Sequence, residues 1–145
     1  VDLDECLTLA EELVQRAYPP QRIARHVGQG MDVSGPGYHV MSVAVSDVFW
    51  EESAERWEEV WGHFEAKRAQ LVAALTATWG LSCPRTFRAD LDRTLRGEPL
   101  PPLADVLVEF VTDADTWYRY GRSVCVSLGQ WDKGLRPRKW CTTCP

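Results

Sequence analysis

No stretch of this 145-residue sequence approaches the roughly 18 consecutive apolar residues of a membrane span, so no transmembrane helix is predicted. A basic lead-in is missing as well. The opening VDLDECLTLAEELVQ is acidic, unlike a secretory signal, and the expectation is a cytoplasmic protein. Catalytic signatures are also lacking: there is no Gly-x-Ser-x-Gly elbow and no His-Glu-x-x-His pair. Gly28 and Gly30 start a Gly-x-Gly, but no glycine follows at dinucleotide spacing, and a strand rather than a helix is expected next. Internal repeats and low-complexity segments are absent. Catalysis from scattered residues remains open to the chain, but nothing in its pattern points to an enzyme or a cofactor.

Acidic residues are absent from 133 onward, while KGLRPRK at 133–139 holds four of the 16 Lys and Arg. Residues 1–132 therefore carry twelve basic and 21 acidic side chains, a net −9 against −5 for the whole chain. Such a body repels phosphate backbones and argues against nucleic-acid binding. Hydrophobic residues at 45% and charged residues at 26% suit an ordinary globular domain. A chain of this length buries roughly two-thirds of its unfolded surface, enough for a core without disulfide staples.

Five cysteines are an odd number, which disfavours a disulfide framework and favours reduced thiols. Two of them, Cys141 and Cys144, lie in WCTTCP at the end of the sequence. These six residues resemble the Trp-Cys-x-x-Cys signature of thioredoxin-like oxidoreductases, whose first cysteine is activated at a helix N-terminus. With one residue after Cys144 in this sequence, no such helix is expected. A zinc site needs four ligands, and no second closely spaced Cys or His pair completes Cys141 and Cys144. The reading of 133–145 is a loosely ordered basic tail, with residues 1–132 as a single domain and no metal assigned.

Hydrophobic spacing organises that domain. Asp2 or Asp4 caps a first helix with Leu3, Leu7, Ala10, Leu13 and Ala17 at helical period, ending before Pro19-Pro20. PQRIARHV predicts a short second helix and GQGMDVSGPG (28–37) a loop. YHVMSVAVS (38–46) reads as a buried strand. A long helix over 51–79 carries Trp57, Val60, Trp61, Phe64, Leu71, Leu75 and Thr78 on one stripe and stops at Gly80. PRTFRADL offers a short edge strand and ADLDRTLRG one or two helical turns. ADVLVEFVT (104–112) predicts a strand, DAD (113–115) a turn, and TWYRY and SVCVSLG a hairpin about a tight turn. The resulting fold class is α+β: a two-layer domain with a mainly antiparallel sheet of about four strands. The long helix covers one face, and a small helical pair precedes it.

Three features carry candidate function. Trp117 and Arg119 share one face of TWYRYGR, and Tyr118 and Tyr120 the other, with Arg122 close by; Trp, Tyr and Arg are enriched at binding hot spots. Glu55, Glu59 and His63 form a polar helix stripe opposite the tryptophans, most simply a solvated face. Asp32, His39 and His63 are the residues of an alternative pocket, for a small ligand or an enzyme, between the long helix and loop 28–37. The leading expectation is a protein–protein interaction module that uses an exposed aromatic sheet face to engage another protein or a second copy of itself. In general character, a small acidic α+β domain resembles bacterial immunity proteins, which block a basic toxin. That resemblance rests on size, charge and class rather than on a motif.

Overall fold

The computed structural model describes residues 2–27, 30–46, 54–108, 111–130 and 137–144. Helix α1, Leu3–Gln15, starts at a capping box. The Glu5 backbone N–H donates to Asp2 at 2.8 Å, and the Asp2 N–H donates back to the Glu5 carboxylate at 2.9 Å. Cys6, Ala10, Leu13 and Val14 form its buried stripe. The chain turns extended at Arg16 and meets Pro19-Pro20.

The next segment departs from expectation. Residues of PQRIARHV form strand β1, Ile23–Val27, and the glycine-rich stretch forms strand β2, Gly30–Gly35; Gly28 lies outside the described residues. A helix between Pro20 and Gly28 would be too short to be stable without a packed face. The glycines of β2 answer to close approach rather than to looping. A Cβ on Gly35 would come within 2.6 Å of the Tyr38 ring, and one on Gly30 within 2.9 Å of Ser42 Cβ. Strand β3, Tyr38–Val45, follows as expected.

Helix α2, Ala54–Trp79, is the long helix; its expected first turn at 51–53 lies outside the described residues. Gly80, at φ +94°, ends it and donates its N–H to the Thr76 carbonyl at 2.9 Å. Leu71 and Leu75 are fully buried, each worth about 1.5–3 kcal/mol on transfer from water. Trp57 and Trp61 stack on each other at 5.1 Å and are only partly buried, so the stripe packs mainly through its C-terminal half.

Strand β4, Cys83–Thr86, and helix α3, Arg88–Leu95, match the edge strand and the helical turns read from 84–97. Of the predicted strand at 104–112, only 111–112 are in a strand, 109 and 110 lie outside the described residues, and residues 104–107 belong instead to helix α4, Pro102–Leu107. Proline in its first turn suits a helix start, and Leu103, Ala104 and Leu107 bury one side, which overrides the β-branched alternation. The predicted turn at 113–115 is part of strand β5, Val111–Arg119. A bulge between Val111 and Ala114 brings both residues into one core. Tyr120-Gly121 then turns the chain into strand β6, Arg122–Gln130.

Of the segment expected as a loosely ordered tail, 133–136 and 145 lie outside the described residues, and the rest is instead the last strand, β7, Pro137–Cys144. Its backbone pairs antiparallel with β3 on one side and β6 on the other. Strand pairing depends on backbone groups, so a segment without clear periodicity can still enter a sheet whose neighbours supply the register. The sheet is therefore not one four-stranded unit. Two three-stranded antiparallel sections, β1-β2-β3 and β6-β5-β4, lie on either side of β7, giving the order β1-β2-β3-β7-β6-β5-β4.

The fold is α+β, but with helices on both faces rather than one. Against α1 and α2 lie Val43, Trp117, Val124 and Val126. On the opposite face Val33, Tyr38, Val40, Val111, Ala114 and Cys125 pack with Leu103 and Leu107 of α4 and with Phe87. Both sides of β6 are consequently buried from Val124 to Leu128. The expected wet sheet face is covered there.

Candidate binding cleft

Strand register assembles a polar floor on the β1-β2-β3 section. Ser34 pairs with Ile23 on one side and His39 on the other, so these three form one cross-strand row. Two residues along, Arg25 pairs with Asp32, and Met41 follows His39 on the same face. The chain leaving α1 forms the wall through Arg16, Ala17 and Pro19. Together these residues enclose a cleft of about 210 Å³.

His39 is the most buried polar member, at 1% exposure. Its Nε2 lies 3.3 Å from the Arg16 carbonyl, which can only accept, so that nitrogen carries the proton. Nδ1 then accepts from the Ser34 hydroxyl at 2.7 Å. The Tyr18 ring lies against the imidazole, centroids 5.0 Å apart. Burial holds the His39 pKa below its ordinary value, and the charges of Arg16 and Arg122 act in the same direction, against hydrogen bonds to the backbone at Arg16 and Ala17, so the ring is neutral at pH 7.

Asp32 is shifted the other way. Burial raises its pKa, against the opposing effects of a backbone hydrogen bond from Ser42 and the charges of Arg16 and Arg25. The cleft thus offers two guanidiniums, one carboxyl, a hydroxyl and a neutral imidazole. Ser34 and His39 stand at the distance of a nucleophile and its base. The second imidazole nitrogen is tied to a neutral carbonyl, however, and the ring is almost wholly enclosed. Polar recognition is what this geometry equips best.

Of the three residues expected for the pocket, Asp32 and His39 come together and His63 does not. His63 is exposed on α2, along with Glu55 and Glu59, and the cleft lies beside the exit of α1 rather than beside the long helix. Arg16, Arg25 and Ser34 were not singled out from sequence. A signal for Ser34 existed: in SGPGYH it is placed symmetrically with His39 about Pro36-Gly37, the spacing of a two-residue hairpin.

The aromatic cluster divides. Trp117 is core at 3% exposure, and its Nε1–H donates to the Gly80 carbonyl at 2.9 Å. Arg122 caps α1, its Nη1 donating to the carbonyls of Leu13 at 3.2 Å and Arg16 at 2.6 Å, with the guanidinium 4.1 Å over the Tyr18 ring. Arg119 lies over the Trp79 and Tyr120 rings. Only Tyr118 and Tyr120 are largely exposed, at 73% and 66%.

Around Cys141 and Cys144 the backbone is strand, not the helix start that activates a thioredoxin-type thiolate; their side chains lie outside what is described. Among the described residues, no group of three or more His, Cys, Asp or Glu could hold a metal ion, and no helix is long and apolar enough to cross a membrane. Comparison with family models, with characterised proteins and with solved structures gave no match to this chain.

Proposed function

We propose that this chain is a protein-binding module that takes an extended acidic segment of another protein onto the outer edge of β1. The supporting observation is the contrast between the two edges of the sheet. Strand β1 has five residues, all exposed, whereas β4 has four and carries Pro84. Proline removes a pairing donor, and native edges are usually short, covered or interrupted in this way, because an open row of N–H and C=O groups recruits strands. Two residues separate Val27 from its partner Gly30, so that flanking pair shares hydrogen bonds. By alternation, the backbone groups of Ile23 and Arg25 also face β2, and those of Ala24 and His26 face outward.

Charge selects the occupant. Arg22, Arg25 and His26 stand exposed on this edge of an otherwise acidic protein. A second copy paired about Arg25, the register that uses all five residues, would set that arginine against itself, and directly opposed like charges destabilise a sheet. A strand bearing Asp or Glu gains where the second copy loses, in the manner of β-strand addition. Tyr118 and Tyr120 belong to the β5-β6 hairpin, which is separated from β1 in the strand order by β2, β3 and β7, and form no part of this edge.

A labelled peptide of alternating Glu and Val should raise fluorescence anisotropy on titration with the protein, and one of alternating Lys and Val should not. Ala24→Pro or His26→Pro should abolish the binding with little change in melting temperature, since neither N–H serves the β1-β2 ladder. The reading fails if the acidic peptide does not bind, if the basic one binds equally, or if binding survives both prolines.

A further inference from the structure

The cleft on the β1-β2-β3 section brings three charged side chains together without pairing them. Arg25 and Asp32 are direct cross-strand neighbours, and Arg16 stands in the wall above the same floor. Both arginines act on Asp32 electrostatically, yet among the described residues no ion pair joins either of them to it. Arg16 reaches instead toward Glu12 at 3.7 Å, and its Nη1 lies 3.6 Å from the Met41 sulfur. The Asp32 carboxyl takes a backbone hydrogen bond from Ser42. Ser34, with its proton committed to His39, keeps an oxygen able to accept. Charges of both signs therefore converge on one small cleft, where Asp32 is ion-paired with neither arginine.

We infer that this cleft binds a small zwitterion of the free α-amino-acid class, its carboxylate on Arg16 and Arg25 and its ammonium on Asp32 and the Ser34 hydroxyl oxygen. Two guanidiniums suit a carboxylate, which accepts their donors in a planar fork. The ammonium, with three donors and no acceptor, suits a carboxylate beside a hydroxyl oxygen. A simple anion would leave Asp32 unanswered and close to a like charge, and a simple cation would leave both arginines so. Size points the same way: about 210 Å³ is below the roughly 300–1,000 Å³ of sites for drug-sized ligands. Ile23, Pro19 and Met41 supply apolar lining for a short aliphatic side chain.

Calorimetric titration of the full chain with L-alanine, acetate and methylamine separates these chemistries. L-Alanine should bind, while acetate and methylamine should each bind about tenfold more weakly or worse, because each answers only one sign of charge in the cleft. Asp32→Asn and Arg25→Gln should each weaken alanine binding by a similar factor. His26→Pro, on the outward side of β1, should leave it unchanged, which keeps this site distinct from the strand-docking edge. If a variant proves unfolded by circular dichroism, the three-ligand comparison on the unaltered protein still decides. Acetate or methylamine binding as tightly as alanine overturns the inference, as does the absence of alanine binding at roughly 10 mM.

Discussion

His39 is held from both sides, by the Ser34 hydroxyl on Nδ1 and the Arg16 carbonyl on Nε2, and its burial has a consequence for stability. Folding depresses its pKa below the ordinary 6.5, so between those two values the unfolded chain binds a proton that the folded chain refuses. The stability it contributes is present above 6.5 and is lost as pH falls from there through the folded-state value. Asp32 acts oppositely in a lower window. Its raised pKa gives stability that is present below 3.8 and lost as pH rises through the folded-state value. Denaturant titrations should therefore show the native chain losing more stability between about pH 7.5 and pH 5.5 than His39→Gln does. Equal losses would mean that folding leaves the His39 pKa unshifted. Asp32 and His39 were legible as polar residues within a glycine-rich and strand-forming region. Arg16 and Arg25 were not, because an arginine at a helix end or on a short strand carries no local mark of what faces it.

At the scale of elements, glycines separate packing from mere flexibility. Gly35 sits where a Cβ would meet the Tyr38 ring at 2.6 Å, whereas Gly62 on α2 has nothing within 4 Å. Gly35→Ala should destabilise the β2-β3 hairpin by about 1–3 kcal/mol through overpacking. Gly62→Ala should stabilise the chain by roughly 0.5–1 kcal/mol, because alanine loses less conformational freedom in a helix. Thermal melts of the two variants should move in opposite directions; an unchanged or raised melting temperature for Gly35→Ala would contradict the close approach there. The β5-β6 hairpin turns through Tyr120 and Gly121, both at positive φ (+50° and +76°), the conformation of a two-residue turn of the primed type. The sequence pattern sets this turn at GR, 121–122, so the observed turn starts one residue earlier, with Tyr120 taken from the expected strand. Helix α4 was not readable, since Val106, Val108 and Phe110 alternate in the sequence as a strand would, and only the burial of Leu103 and Leu107 against the sheet decides otherwise.

For the whole molecule, β7 is the decisive element. Its backbone joins the β1-β2-β3 and β6-β5-β4 sections, and Val124 and Val126 of β6 pair with Thr143 and Cys141 of β7. Removing residues 131–145 should abolish the cooperative thermal transition and expose apolar surface to a dye such as ANS, because the two sections would lose their shared ladder. An unchanged transition in the truncated chain would show that β7 is dispensable. Arg68 of α2 meets Asp115 of β5 in a partly buried ion pair, and Ser82 donates to the same carboxylate at 3.1 Å, fastening the long helix to the β6-β5-β4 section.

By itself the sequence determined the α+β class, the capped first helix, the long helix and strands β3 and β6. Those signals are local: a capping pair, apolar spacing at 3.6 or 2, and glycine or proline punctuation. Tertiary structure alone decided that helices cover both faces, that an aperiodic basic segment becomes the central strand, and that the expected aromatic face divides into core, cap and exposed tyrosines. It also decided the cleft, whose members come from the exit of α1 and from three strands. Their meeting depends on strand register and on the direction in which the chain leaves α1, and neither is encoded in any one stretch of residues.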